Sequence, residues 1–162
     1  MILVAIGSNQ TGPWGNPGEA VERALMQLDR DGMKLRTASR LLRTAPFGRT
    51  NQPDFVNAVA EIATSLPPEA LLQKLHWIER CAGRRRTLHW GPRTLDLDLI
   101  DYHGLLRSPP LRPVLPHPGI AEREFVLKPI AEIAPRWRHP VLHRSAAQLL
   151  RHLNAGRAGR EI

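Results

Sequence analysis

The segment from Trp90 to Leu99 reads Trp-Gly-Pro-Arg-Thr-Leu-Asp-Leu-Asp-Leu. After Pro92, leucine and aspartate alternate, and a period of two predicts a β-strand with one buried face. The leucines would face the core, so Asp96 and Asp98 share the opposite face, roughly 6.5–7 Å apart along the strand. The chain is therefore expected to build its core on one side of this strand and its chemistry on the other.

Two carboxylates on one strand face repel each other, and a shared divalent cation is the commonest reason to keep them together. Hard oxygen ligands suit Mg²⁺, which retains several waters and is shared with substrate phosphates. Arg93, just upstream, can donate a forked pair of hydrogen bonds to a phosphate. A carboxylate pair with an arginine is typical of phosphoryl transfer. The alternative, a solvated Asp-x-Asp face without a ligand, stays open at this point.

Length and composition limit the class of protein to which this chain can belong. The 162 residues, 42% of them hydrophobic, suit one domain spanning residues 1–162. No apolar run approaches the ~20 residues that cross a membrane, and no basic region precedes the short apolar start, so we expect neither a membrane span nor a signal peptide. The single cysteine, Cys81, argues against a disulfide framework or a cysteine-rich zinc site. We expect a cytoplasmic location.

The net charge of +8 arises from 23 basic and 15 acidic residues. Such an excess favours an anionic partner, whether nucleic acid, nucleotide or another phosphate compound. A general bias toward arginine and alanine would produce the same number. With only three Phe and one Tyr, no aromatic strand platform for RNA bases is evident, and we expect no nucleic-acid partner.

Hydrophobic periodicity predicts the order strand, helix, strand, strand, helix, strand. The segments that carry these patterns are 2–6, 17–30, 33–44, 55–64, 66–82 and 95–102. Asn16, with Pro17 and Glu19 behind it, has the form of a capping box for the first helix, and Ser65 is the candidate cap of the second. This order is that of the ferredoxin-like βαββαβ unit, so we expect an α+β fold with an antiparallel sheet and helices on one face.

Beyond that core we expect a C-terminal hairpin and further helices. His103-Gly104 is typical of a hairpin turn, after which Leu105-Leu106 would begin the returning strand. A helix is predicted over 121–130, and Ser145 would cap a last helix that ends at Leu153, with a frayed tail after it. Within the extended segment 33–44, alternation predicts a shared face for Met33, Leu35, Thr37 and Ser39.

Several segments together resemble one family. In chain order they are Gly7-Ser8-Asn9, Arg43–Gly48, Gln52–Ala58, Trp90–Asp98, Leu115–Pro118 and Arg123–Leu127. Over essentially its whole length the chain resembles the 6-hydroxymethyl-7,8-dihydropterin pyrophosphokinases of folate biosynthesis. The resemblance implies transfer of the terminal pyrophosphate of ATP to the hydroxymethyl group of a reduced pterin, with release of AMP. It implies no nucleic-acid or membrane partner, and we expect a monomer.

The resemblance also implies a role for individual residues in handling ATP. Asp96 and Asp98 would bind two Mg²⁺ ions on the ATP phosphates, where the metals neutralise charge as the β-phosphorus is attacked. The catalytic set implied in this way is Arg84, Arg86, Arg93, Asp96 and Asp98. The implied ATP-binding set is Glu79, Trp90, Arg93, Leu99, His117 and Arg123. Taken alone, the arginines of 84–86 favour a solvated basic turn over a catalytic loop.

A pterin is flat, aromatic and polar at its edge, so it needs stacking partners and hydrogen bonds. The resemblance implies that Phe55 and Phe125 stack on it, that Asn57 pairs with its edge, and that backbone around Thr44 and Phe47 adds further bonds. Each phenylalanine taken singly could instead be core.

Phe55 stands where the family frequently has a tyrosine. Three further residues depart from the commoner family pattern in details of nucleotide binding: His76, His89 and Pro118. Two other functions remain open from the residues. One is a non-catalytic ferredoxin-like module that binds RNA through its arginines. The other is a degenerate relative that binds ATP without transferring it.

Overall fold

A computed structural model describes residues 1–44, 54–84 and 94–160, the side chains of 158–160 excepted. Five strands and four helices lie in this part of the chain, with a short 3₁₀ turn at Ile120–Glu122. The strands are β1 (Ile2–Ser8), β2 (Met33–Ala38), β3 (Leu42–Thr44), β4 (Phe55–Thr64) and β5 (Asp96–Tyr102). The helices are α1 (Pro17–Gln27), α2 (Pro68–Cys81), α3 (Glu124–Ile133) and α4 (Ala146–Arg160).

The strands form one antiparallel sheet in the order β2-β4-β1-β5, and β3 pairs with β4 beyond the end of β2. With α1 and α2 in the crossovers, this is the predicted ferredoxin-like βαββαβ arrangement within an α+β fold. In its register, Gly7 of β1 lies opposite Asn57 of β4 on one side and Asp96 of β5 on the other. Strand β1 therefore lies between the two strands, β4 and β5, that carry the predicted site residues.

Each face of the sheet is covered by a different pair of helices. On one face, side chains such as Val4, Leu97 and Leu75 join α1 and α2 in the larger hydrophobic cluster. On the other face, Leu3 and Ile100 pack with α3 and α4 in a second cluster. The prediction of helices on one face is confirmed for α1 and α2, and the C-terminal helices cover the opposite face.

Local capping signals placed two helices correctly. Asn16 accepts a hydrogen bond from the Glu19 N–H at 2.9 Å, and the Glu19 carboxylate accepts one from the Asn16 N–H at 3.1 Å. Ser145 and Gln148 make the same reciprocal pair at the start of α4. These short-range bonds satisfy helix N–H groups that otherwise have no partner.

The predicted extended segment 33–44 is broken into β2 and β3. Pairing with β4 shifts register between Leu35 and Thr37, so Thr37 is exposed while Ser39 is buried. Ser39 donates its N–H to the Val59 carbonyl and accepts the Val59 N–H on its hydroxyl, both at 2.9 Å. The expectation of one shared face was wrong because this bulge changes the alternation.

Two further expectations at element ends were also wrong. Ser65 does not cap α2, whose N-cap is Pro67 without a side-chain bond. The His103-Gly104 turn forms with positive φ at both residues, but within 103–119 only an isolated bridge joins Arg107 to Leu115. The prolines there cannot donate to a ladder.

Two C-terminal boundaries also differ from expectation. Helix α3 covers Glu124–Ile133 rather than 121–130, and the first residues of that stretch form the 3₁₀ turn. Helix α4 continues to Arg160, beyond the predicted end at Leu153. A salt bridge from Arg157 to Glu124 of α3, 2.7 Å long, lies in the stretch expected to fray. None of the described helices is both long enough and apolar enough to span a bilayer.

Candidate active site

Polar side chains from β3, β4 and β5 meet at one end of the sheet. Because neighbouring strands are antiparallel, the end of β1 lies beside the starts of β4 and β5. Residues in register point to the same face of a sheet. The side chains of Asn57 and Asp96 therefore point to the same face, with Gly7 between them. The pterin-binding and metal-binding residues implied by the resemblance are thus one strand apart on either side of β1.

The alternation predicted for β5 is confirmed. Leu95, Leu97 and Leu99 are buried, whereas the Asp96 and Asp98 side chains remain 28% and 33% exposed. Both carboxylates line a cleft of about 320 Å³. Its other lining residues include Leu72, Glu79, Arg84, Leu99, Val114 and His117. This arrangement leaves both carboxylates accessible to a ligand in the cleft.

The donor set of this cleft suits a cation that is shared with a substrate. Among residues 1–44, 54–84 and 94–160, no three His, Cys, Asp or Glu side chains converge to hold a metal ion by themselves. Mg²⁺ is commonly bound by one or two carboxylates together with waters and substrate phosphates. Asp96 and Asp98 provide two carboxylates, so the residues present fit Mg²⁺ on a nucleotide.

Arg84 connects the carboxylate pair to helix α2. Its Nη1 donates to Asp96 Oδ1 at 2.8 Å and also to Glu79 Oε2. The same Glu79 oxygen accepts the Leu97 N–H at 2.8 Å. The predicted catalytic arginine and the predicted ATP-binding glutamate therefore lie directly beside a predicted metal ligand.

Glu79 is a buried carboxylate, and burial dominates its titration. Its side chain is only 3% exposed. Burial raises the pKa of Glu79 to about 7, against the lowering effects of the Leu97 N–H and the Arg84 charge; Asp96 and Asp98 raise it further. Near neutral pH this side chain is poised between its two protonation states.

His117 and Arg123 approach the other side of the carboxylate pair. His117 Nε2 and Arg123 Nη1 each lie 3.9 Å from an oxygen of Asp98. The His117 N–H donates to the Ile100 carbonyl at 2.9 Å, which fixes this loop against β5. Both residues were predicted from the resemblance, and the structure brings both to the cleft.

The protonation of His117 follows from its surroundings. Burial, together with the nearby Arg123 charge, lowers the pKa of His117 to about 4, although Asp96 raises it. The ring is therefore neutral at pH 7. Its Nδ1 accepts the Gly119 N–H at 3.1 Å, so the proton is on Nε2, the atom nearest Asp98. A neutral N–H donor thus points into the cleft.

The other side of β1 carries the residues expected to bind the pterin. Asn57 is buried, and its Nδ2 donates to Thr44 Oγ1 at 3.0 Å. Thr44 and Phe55 lie opposite each other in the β3–β4 register. Phe125 is in the first turn of α3 and is half-buried. A polar group and two aromatic rings are thus supplied by β4 and α3.

Some predicted residues lie outside the described ranges: Phe47, Arg86, His89, Trp90 and Arg93. Two other departures from the family pattern, His76 and Pro118, both line the cleft. Sequence reasoning missed Leu72, Pro113 and Val114, which also line it. Pro113 and Val114 lie in the irregular proline-rich stretch, where periodicity gives no signal.

The ferredoxin-like α+β fold and a cleft of carboxylates, arginines and a neutral histidine together have the chemistry that suits a phosphorylated ligand carrying a metal ion. The sequence model of the 7,8-dihydro-6-hydroxymethylpterin-pyrophosphokinase family matches residues 3–135. The chain belongs to this family.

Named relatives agree with that assignment. The chain is 42% identical over 141 residues to the 2-amino-4-hydroxy-6-hydroxymethyldihydropteridine pyrophosphokinase of Pseudomonas aeruginosa, covering 86% of this chain and 83% of the relative. The chain is also 42% identical over 123 residues to the Synechocystis enzyme of the same name, and the match covers 76% of this chain and 62% of that enzyme. The Pneumocystis carinii folic acid synthesis protein fol1 is 37% identical over 147 residues, or 90% of this chain and 19% of that protein.

The chain therefore spans about a fifth of the fungal protein and about three fifths to four fifths of the bacterial enzymes. The family description and the names of both bacterial relatives are those of pyrophosphokinases that act on the pterin. The family and fold predicted from the residues are confirmed.

Proposed function

We propose that this chain transfers pyrophosphate from ATP to 6-hydroxymethyl-7,8-dihydropterin, giving AMP and the pterin diphosphate, and that Asp96 and Asp98 bind two Mg²⁺ ions during the reaction. The observation that carries the proposal is the exposed carboxylate pair beside Arg84 and His117 in one cleft. Asn57, one strand away, supplies the pterin side. When bound, the ions supply charge neutralisation and polarise the β-phosphoryl group.

The reaction replaces one phosphorus–oxygen bond by another. The hydroxymethyl oxygen attacks the β-phosphorus, and the bond from that phosphorus to the oxygen bridging the α- and β-phosphates breaks, releasing AMP. The hydroxyl proton passes to a phosphate oxygen or to water, and we assign no general base. The protein's contribution is then positioning and electrostatic stabilisation.

Arginine and histidine side chains would hold the triphosphate. Arg84 already lies within hydrogen-bond distance of Asp96, so a phosphate bound to the same metal would come within its reach. The neutral His117 donates from Nε2, and Arg123, 40% exposed, can turn toward the nucleotide. Charged and neutral donors together would stabilise the charge that develops on the phosphates. Arg86, Trp90, Arg93, Leu99 and Glu79 complete the proposed ATP-binding and catalytic set.

Substrate specificity would come from the pterin side. Phe55 and Phe125 would stack on the two faces of the ring, and Asn57 would bond its polar edge. Backbone near Thr44 and Phe47 would add hydrogen bonds. We further propose one domain over residues 1–162, a monomer in the cytoplasm, and no nucleic-acid or membrane partner.

The proposal is tested by incubating the protein with ATP, Mg²⁺ and the reduced pterin alcohol and separating the nucleotide products. AMP should form in equal amount to the pterin diphosphate, and omission of the pterin should abolish it. Release of ADP, or binding of ATP without AMP, would contradict pyrophosphoryl transfer. An RNA-binding module would instead bind RNA with a steep salt dependence. The carboxylates of the cleft oppose that function, because they would repel the phosphates of the RNA backbone.

A further inference from the structure

Gly7 lies in the sheet between a residue proposed to bind the pterin and a residue proposed to bind the metal. It pairs with Asn57 of β4 and with Asp96 of β5. Adjacent strands are separated by about 4.8 Å, so the α-carbons of Asn57 and Asp96 are roughly 10 Å apart across it. A Cβ on Gly7 would point to the same face as both side chains. The shortest path from one side chain to the other therefore passes over Gly7.

A Cβ at this position would collide with the Asn57 amide. It would lie 2.8 Å from Asn57 Oδ1, closer than Cβ atoms approach such a neighbour. Asn57 cannot yield easily, because it is 7% exposed and its Nδ2 is bonded to Thr44. Even an alanine here would displace the amide or break that bond.

Backbone geometry does not explain this glycine. Gly7 is not among the glycines with a left-handed φ, so an alanine could adopt its conformation. Glycine also weakens a strand interior, and in that position it often marks a close approach by a ligand or another group. The space above Gly7, rather than its φ, is the reason for a glycine.

We propose that Gly7 is a positioning and specificity-determining residue. Because it has no side chain, the Asn57 amide can lie across β1. The sheet surface between Asn57 and Asp96 also stays open for the hydroxymethyl arm of the pterin. This inference rests on the proposed function. The arm must reach from the ring, held at Asn57, to the phosphate held at Asp96. A methyl group on β1 would stand in that path.

Gly119 offers a contrasting position on the nucleotide side. A Cβ there would lie 2.8 Å from Arg123 Nε, and the φ of −94° again permits alanine. The Arg123 side chain, however, is 40% exposed and can move aside. The same added methyl is therefore expected to cost little at Gly119 and much at Gly7.

The experiment measures the dissociation constants of the pterin alcohol and of a non-hydrolysable ATP analogue by titration calorimetry for wild type, Gly7→Ala, Gly119→Ala and Gly18→Ala. Gly18 is the matched control, because its added Cβ has only an ordinary 3.5 Å contact with Asn16. Gly7→Ala should weaken pterin binding at least tenfold and change ATP-analogue binding less than twofold. Gly119→Ala should alter only ATP-analogue binding, by a smaller factor.

A second background shows whether Gly7 acts through Asn57. In Asn57→Ser the amide is gone, so adding Gly7→Ala should cost less pterin affinity than it does in wild type, and the loss that remains measures the methyl group in the path of the arm. A purely structural role would instead add its full effect in both backgrounds and weaken both ligands. If Gly7→Ala alone does not fold, the double variant should fold, because the collision is removed.

Three results would overturn the inference: unchanged pterin affinity in Gly7→Ala, equal loss for both ligands, or failure of the double variant to fold. A wild-type protein that binds no pterin would overturn both the inference and the proposed function. Failure of pyrophosphoryl transfer alone has a different signature, since wild type would then bind the pterin but release no AMP. The two claims are therefore separable in one set of measurements.

Discussion

The two faces of the sheet are built from the same strands but differ in what covers them. The face toward α1 and α2 is apolar from Ile2 to Ile6 of β1, and Leu97 of β5 and Leu95 just before it are nearly inaccessible there. The opposite face is packed by α3 and α4 where it carries Leu3 and Ile100. Beyond these residues it carries Asn57, Asp96 and Asp98, and the cleft opens at the β5 edge, where Leu72 and Glu79 of α2 also line it.

This difference separates folding from chemistry within single strands. Asp96 and Asp98 belong to the cleft and Leu95 to the core alone, whereas Leu97 and Leu99 contribute to both. A substitution of Leu95 or of either aspartate should therefore leave the other function intact. A polar face next to a cleft is costly unless the polar groups have partners. Arg84, His117 and Arg123 provide them for the carboxylates.

The largest effect is expected from Asp98→Asn or Asp96→Asn. Either should lower the rate of AMP formation about a thousandfold or more, roughly 4 kcal/mol of transition-state stabilisation, because the metal loses a charged ligand. The free energy of unfolding should change by less than about 1 kcal/mol. Exposed Glu22→Gln on α1 is the control. Near wild-type turnover in either variant would refute the metal assignment.

The converse substitution, on the other face of β5, is Leu95→Ala. Leu95 is fully buried, so the free energy of unfolding should fall by about 2–5 kcal/mol in urea denaturation. Turnover per folded molecule should stay close to that of wild type. Lost turnover at unchanged stability would show that the two faces are not independent.

The titration of Glu79 tests how core and cleft are connected, because its carboxylate bonds both the backbone of Leu97 and, with Asp96, the side chain of Arg84. Its raised pKa means that it stabilises the fold below about pH 4.5 and that this contribution, roughly 3 kcal/mol at most, is lost as the pH rises through about 7. His117 acts oppositely: its lowered pKa gives stability present above about pH 6.5 that is lost as the pH falls toward 4.

Glu79→Gln removes the pH-dependent contribution of Glu79 to the free energy of unfolding and keeps a hydrogen-bond acceptor at this position. The free energy of unfolding of this variant should therefore rise more steeply between pH 4.5 and 7 than that of wild type. Urea titrations at both pH values, without metal, measure the difference. Parallel profiles for the two proteins would show that Glu79 does not titrate in this range.

The smallest expected effect concerns the aromatic contribution from α3. Phe125→Ala should weaken pterin binding about ten- to a hundredfold, or roughly 1.4–2.8 kcal/mol, because one stacking face is lost. ATP-analogue affinity should change less than twofold in the same calorimetric titrations. Equal losses for both ligands would mean that Phe125 supports the fold of this face rather than the pterin.

Features encoded within a few residues were predictable from the sequence. The period of two in β5 gave both the strand and its exposed carboxylates, and the Asn16 capping box gave the start of α1. Each depends on contacts between neighbours in the chain, where pattern and structure correspond directly.

Features that depend on distant partners were not predictable in this way. The break after β2 is held by Ser39 on Val59 and by Arg40 on Glu132, residues far apart in the sequence. The place of Gly7 between Asn57 and Asp96 exists only once three strands are in register. Glu79 was implied by the resemblance alone, since a carboxylate on an otherwise apolar helix stripe has no distinct periodic signal.

The central claim is that Asp96 and Asp98 bind the metal ions that carry the ATP phosphates. The most direct measurement is anomalous diffraction from crystals grown with Mn²⁺ and a non-hydrolysable ATP analogue. We predict anomalous peaks about 2.0–2.2 Å from carboxylate oxygens of both residues and in contact with the phosphates. An ordered triphosphate without a metal ion at either carboxylate would contradict the account.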